Sequence, residues 1–241
     1  MRMRFVPRLS TTHRFNPPLF ACFSAPASNR VRVDGLLSQW RGYGKDGGYA
    51  LVLDAHHLEQ LLKAEGANFW YQHAQWGDVH YHQDGDDLAH AEPEIREAEE
   101  ELRRSIGRYI KHPVSAELES TFEPGATLSC LFKHWGFHEE REVRIVAIPP
   151  NEELVREGRA SGELRPVRQP KIFVRGGTPV PYLDLFAREA TDGEGFRLPI
   201  VRIVVGPHPQ SQLRRQAVEE LLRTKGILAE VVVSQTPYLG G

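Results

Sequence analysis

Short apolar runs, punctuated by glycine and proline, constrain this chain more than any other feature. Strand signals fall at Phe20 to Ser24, Tyr49 to Leu53, Asp78 to His82, Leu128 to Lys133 and Glu140 to Ile148. Others fall at Lys171 to Arg175, Pro199 to Val205 and Leu228 to Ser234. Runs this short suit half-buried strands, and those with alternation place one side-chain set on one face. In the first, Phe20, Cys22 and Ser24 share a face. Helical stripes are fewer. Leu36, Leu37 and Trp40 sit at helical spacing, and Asp54 caps a short helix through Leu58, Leu61 and Leu62 that Gly66 ends. The clearest helix runs from about Pro93 to Lys111, with Ile95, Ala98, Leu102, Ile106 and Tyr109 as its apolar stripe. Residues 150–170 read as polar and irregular. A last helix, Gln210 to Lys225, is closed by Gly226. Strands mostly not separated by helices predict an α+β fold: a mixed, mostly antiparallel sheet with flanking helices and a C-terminal strand–helix–strand unit.

With 241 residues, 40% of them hydrophobic and 26% charged, the chain is sized for one large domain or two small ones. It reads as a loose Arg-rich lead-in over 1–17 followed by a single α+β domain over 18–241. The lead-in has no continuous apolar segment, so it is not a secretory signal, and no run approaches the ~20 residues of a membrane span. Thirty basic against 32 acidic residues give a net charge of −2, without the excess of a broad electrostatic nucleic-acid grip. Cys22 and Cys130 sit in apolar runs without Cys-x-x-Cys spacing, which predicts buried free thiols in a cytoplasmic protein.

The strongest chemical candidate is Lys133 through Arg144. Glu140, Glu142 and Arg144 on one strand would project from one face. Two neighbouring carboxylates predict a raised pKa on one, with Arg144 pinning the other. Such a pair suits general-base work or stabilisation of a cationic transition state; a solvated face of salt bridges is the plain alternative. The second candidate is the glycine-rich segment Trp40 to Gly48. Trp40, Arg41 and Tyr43 there suit a planar, anionic ligand; the alternative is a tight connection needing positive φ. The third is Asp78-x-His80-x-His82-x-Asp84, whose donors suit Zn, Mn or Fe. It is outweighed by the solvated acidic turn around Asp84 to Asp87, so no metal is assigned. Arg214 and Arg215 read as the wet side of the last helix. The Gly206 to Pro209 turn before it is a weak anion site.

Taken in order, these pieces resemble the bacterial and phage family called domain of unknown function 2971. The resemblance rests on Cys22-Phe23-Ser24, Ser38-Gln39-Trp40-Arg41-Gly42-Tyr43-Gly44, Val79-His80-Tyr81 and Phe137 to Arg144 with Lys133. It continues through Pro181-Tyr182, Leu198 to Pro207 and Ser234 to Tyr238. Family members usually open with a Tyr-rich strand and helix, where this chain has its lead-in. Either this chain has lost that segment or its start is misplaced, and a site using the segment would depend on which holds.

The family label carries no activity. One pattern is similar to ADP-ribosyltransferases of the Arg–Ser–Glu type. It implies NAD as substrate, with Glu142 stabilising the oxocarbenium ribose and Glu140 orienting or deprotonating the acceptor. Ser24 would hold the carboxylate or the ribose, and Trp40 or Tyr43 would stack on nicotinamide. Arg14 is a poor substitute for the missing first-strand cation. Two other readings stay open. One is a metal-dependent nucleic-acid-acting effector using Glu140, Glu142 and Lys133. The other is a non-catalytic module that binds a nucleotide or a partner protein through the Trp40 segment. The acceptor would be a protein or nucleic acid, and a role in phage defence suits the first two readings.

Overall fold

A computed structural model of the chain describes residues 16–25, 28–83, 91–186 and 198–237. The cationic part of the lead-in, including Arg14, lies outside the described residues, as do Asp84 to Asp87 and Tyr238. In chain order the elements are β1 (Leu19–Ser24), α1 (Asn29–Asp34), α2 (Leu37–Tyr43), β2 (Tyr49–Leu53), α3 (Ala55–Asn68), β3 (His73–Asp78) and β4 (His80–His82). Then come α4 (Pro93–Lys111), α5 (Ser115–Glu119), α6 (Phe122–Leu131), β5 (Phe132–His134), β6 (Glu142–Ile148), α7 (Glu152–Ala160), β7 (Lys171–Arg175) and β8 (Thr178–Tyr182). β9 (Ile200–Val205), α8 (Ser211–Lys225) and β10 (Glu230–Val233) close the chain. The fold is α+β, with several small, mostly antiparallel sheets. No helix among the described residues is long and apolar enough to cross a membrane. The described residues form two compact units: 28–67 with 185–186 and 198–237, and 16–25 with 68–83 and 91–184.

In the first unit the sheet order is β10-β9-β2, with β9 parallel to β10 and antiparallel to β2. β9, α8 and β10 are the anticipated crossover unit. Ile203, Val205 and Val231 pack against Val218 and Leu222 of α8, and Gly226 ends that helix in the left-handed region (φ 60°). Trp40 is only 9% exposed and donates through Nε1 to the Asp34 carbonyl at 2.8 Å. Glycines make room for it: a Cβ on Gly44 would sit 2.9 Å from the indole, and one on Gly206 would sit 2.8 Å from it and 1.8 Å from the Gly47 carbonyl oxygen. The glycine-rich segment is α2 followed by a 3-10 turn, with positive φ at Asp46, Gly47 and Gly48.

In the second unit β6 lies between β1 and β3, antiparallel to both. α6 covers one face, where Cys130, Val146 and Ile148 form a core with Phe20, Phe122 and Ala126. The tail of the lead-in is tied down, since the Asn16 amide donates to the Pro149 and Pro150 carbonyls at 3.0 Å.

Several boundaries differ from the sequence expectation. Leu128 to Leu131 is helical rather than extended: the apolar run continues a helix that begins at Phe122, and Pro124 falls in its first turn, where no N–H is needed. On α4 the stripe holds at Ile95 and Ala98, but Ser105 is buried and Ile106 exposed. Ser105 satisfies its hydroxyl on Glu101 at 3.1 Å. Gly66 sits inside α3, while Asp54 caps it as expected, accepting from His57 N at 2.9 Å. α7 appears within 150–170, its first turn capped by Asn151.

Candidate functional site

The site begins with the alternation of β6. Glu142, Arg144, Val146 and Ile148 share the face that α6 covers. Opposite them on β1, Ser24 pairs with Glu142 and Cys22 with Arg144. The apolar cover ends at Leu131, and the next strand brings Lys133 to the uncovered end of the face. There Lys133 Nζ lies 2.7 Å from Glu140 Oε2 and 2.7 Å from Glu142 Oε2. Arg144 Nε donates to Glu142 Oε1 at 2.9 Å and Nη2 to Oε2 at 3.2 Å. Arg144 Nη1 also donates to the Cys130 carbonyl in the last turn of α6, where cations are favoured. Two carboxylates and two cations thus meet around a Glu142 side chain only 6% exposed.

Glu140 reaches this cluster by a different route from the one its spacing suggests. It is not on β6 but ends a 3-10 turn, Trp135–Glu140. Arg141 then turns the chain with φ 41°, a left-handed conformation that costs a residue with a Cβ about 1–3 kcal/mol. The turn is held on both sides. Ser24 Oγ donates to the Glu140 carbonyl at 2.6 Å, and Ala25 N to the Arg141 carbonyl at 2.9 Å. Glu142 N donates to the Tyr81 hydroxyl at 2.7 Å.

Of the two carboxylates, Glu142 is the one that Arg144 pins. Burial does press Glu142 upward, but hydrogen bonds from Arg144, Cys22 and Lys133 outweigh it and hold the acid at about 2. The repulsion between neighbouring carboxylates is relieved because Lys133 sits between them. Burial and then the hydrogen bond to Glu142 push the Cys22 thiol up to about 12, so it stays protonated and donates. Burial lowers the Lys133 pKa, but Glu140 and Glu142 more than offset this, so it stays charged above its ordinary range.

An aromatic rim borders the cluster. Trp135 and Phe137 are 44% and 49% exposed. Trp135 stacks on His138 with ring centres 4.4 Å apart, and Lys133 Nζ lies 4.9 Å from the Phe137 ring centre.

Lys133, Glu140, Glu142, Arg144 and Ser24 are therefore assembled within one unit. Trp40, Arg41 and Tyr43 belong to the other unit. Trp40 is a packing residue there, its ring enclosed by glycines, while Arg41 and Tyr43 are exposed. His80 and His82 lie on β4, and both rings pack on Phe132, at 5.2 and 5.3 Å. Asp78 ends β3, in a different sheet, and Asp84 lies outside the described residues. Among the described residues no three His, Cys, Asp or Glu side chains are grouped to hold a metal. Sequence reasoning gave no role to Cys22 or Tyr81, nor to Trp135, Phe137 and His138, although the last three lie within the candidate segment. The alternation that placed Cys22 beside Ser24 already pointed to the first.

Residues 39–145 match the family model described as Protein of unknown function (DUF2971), the family whose motifs the sequence resembles. The match takes in both the Trp40 segment and the strand end carrying Glu142 and Arg144. No curated protein and no solved structure matches the chain.

Proposed function

We propose that the Lys133–Glu140–Glu142–Arg144 cluster cleaves the N-glycosidic bond of NAD and transfers ADP-ribose to an acceptor. The observation that carries this reading is Glu142: a buried carboxylate kept ionised down to about pH 2, beside exposed aromatic rings. A carboxylate that never takes a proton near neutral pH is a poor general base and a good stabiliser of positive charge. Glycosidic cleavage develops that charge. Nicotinamide leaves with the electron pair of the C–N bond, the ribose carbon becomes cationic, and the acceptor oxygen or nitrogen attacks it and loses its proton. Glu142 faces the cation, and Arg144 fixes its orientation. Glu140 receives the acceptor's proton. Lys133, on a flexible stem, moves from the carboxylates to the diphosphate. Trp135 or Phe137 takes the stacking role that the buried Trp40 does not fill.

The charge arrangement also supports a second reading. Both oxygens of Glu142 already have cation partners. A cluster so satisfied suits a rigid platform that binds a nucleotide on its aromatic rim without turnover. A metal-dependent reaction is less well supported, because Lys133 Nζ occupies the point between the carboxylates where a divalent ion would sit. Release of nicotinamide from NAD, with cell lysate as acceptor source, separates the readings. Transfer predicts release that falls ~10²–10³-fold in Glu142→Gln, the usual scale for one electrostatic stabiliser. The platform predicts NAD binding without release.

A further inference from the structure

Among the described residues three that are not glycine hold a left-handed backbone: Asp46 (φ 58°), Arg141 (φ 41°) and Phe186 (φ 60°). Two of them have a local reason. Aspartate is one of the few side chains that tolerate this region, because its short polar group can bond the backbone nearby. Phe186 buries its ring, which is 7% exposed, and its N–H donates to Glu65 Oε2 at 3.0 Å. Arg141 has neither reason. Its side chain is exposed and makes no hydrogen bond, ion pair or ring contact among the described residues. The bonds that fix its turn come from the backbone alone. Arg141 N donates to the His138 carbonyl at 3.2 Å, and Ala25 N to the Arg141 carbonyl at 2.9 Å. Glycine would make the same turn without a Cβ to strain it. The guanidinium is therefore kept at a conformational cost that no contact of the fold offsets. Strain of this kind concentrates where a side chain meets a ligand.

The place of Arg141 in the chain indicates what that ligand carries. It stands between Glu140 and Glu142, the two carboxylates of the cluster. Lys133 and Arg144 already balance those carboxylates. Arg141 therefore adds a positive charge that the cluster itself does not use. A guanidinium fork without a partner suits an oxyanion, above all a phosphate. The inference rests on the transfer reaction proposed above. There the bond that breaks is at a ribose carbon only a few bonds from the diphosphate. A cation for that diphosphate belongs within a side-chain length of Glu142. The diphosphate carries a negative charge on each phosphate, and Lys133 can meet only one of them. We propose that Arg141 is a substrate-binding residue of this site, holding one phosphate of the nucleotide's diphosphate while Lys133 meets the other.

Arg141→Gly tests the cost and the use of this side chain together. The full chain and the variant are melted, and each is titrated by calorimetry with ADP-ribose and with adenosine, which lacks the diphosphate. The proposal expects the parent chain to bind ADP-ribose and the variant to bind it about tenfold more weakly or worse. Adenosine does not distinguish the two chains. The variant melts at the parent's temperature or higher, because its turn is no longer strained. Absence of ADP-ribose binding by the parent chain, equal ADP-ribose binding by the two chains, or a variant that melts well below the parent overturns the proposal. Nicotinamide release from NAD is followed beside these titrations and separates the two claims. A parent chain that binds ADP-ribose through Arg141 and releases no nicotinamide keeps this proposal and overturns the transfer reading. Release with the same KM for NAD in both chains keeps the transfer reading and overturns this proposal.

Discussion

Glu142→Gln tests how the cluster is held together. The carboxyl falls from its ordinary 4.5 to about 2 in the folded chain because Arg144, Cys22 and Lys133 outweigh its burial. At ~1.4 kcal/mol per pH unit, that depression is worth about 3 kcal/mol of folding stability. The side chain is buried, so surface screening does not reduce it. Because the folded pKa is the lower one, the contribution is fully present above pH 4.5 and is lost as pH falls toward 2. About 2 kcal/mol of it is gone by pH 3. Glutamine has no such proton, so Glu142→Gln lacks this slope while keeping every other acid in the chain. Urea unfolding followed by circular dichroism at pH 6, 5, 4 and 3 reads the difference. The parent chain starts more stable, and the gap between the two narrows by about 2 kcal/mol across the series. Parallel curves from pH 6 to pH 3 would refute the claim that paired cations hold Glu142 ionised.

Lys133→Met leaves Glu140 and Glu142 facing each other without their shared cation. A loss of about 3–5 kcal/mol at pH 7 follows; urea unfolding beside the parent chain checks it. Gly206→Ala drives a methyl into the Gly47 carbonyl and the Trp40 ring. Thermal unfolding should show a loss of ~3 kcal/mol or more, whereas Gly42→Ala, where a Cβ meets nothing within 4 Å, leaves the melting temperature nearly unchanged. Cys22 and Cys130, pushed up to about 12 and about 11 mainly by burial, should both resist a thiol reagent at pH 8 until the chain unfolds. Rapid labelling of either in the native chain would contradict that.

The parts of the fold read correctly from sequence were those with a local signal. α4 begins at Pro93 and ends at Lys111 as its stripe and flanking prolines indicate, and β7 stops where Gly176 and Gly177 begin. The crossover of β9, α8 and β10 follows from an apolar strand, a helix closed by Gly226 and a second apolar strand. The misreadings have identifiable causes. Leu128 to Leu131 is an apolar run too short to distinguish helix from strand, and only its continuation back to Phe122 decides. β8 was missed because Pro179 and Pro181 mark a non-strand unless both fall at outward positions. α7 was legible in its Asn151 cap and the acidic pair after it. For the cluster, the charged segment is legible in the sequence and its geometry is not. Glu140 joins Glu142 through the left-handed turn at Arg141, which nothing in a β alternation signals. The depressed acid depends first on Arg144 two residues along β6, then on Cys22 and Lys133 arriving from other strands. Trp40 reads as a ligand residue because it sits among glycines, of which Gly44, together with the distant Gly206, admits its ring.

The account stands most directly on whether the cluster turns over NAD. The measurement is nicotinamide released from NAD by the purified chain with lysate, beside Glu142→Gln and Trp135→Ala, each first shown to be folded. The account predicts release by the parent chain, a ~10²–10³-fold fall in Glu142→Gln and weaker NAD binding in Trp135→Ala. No release by the parent chain, or release that Glu142→Gln retains in full, would contradict it.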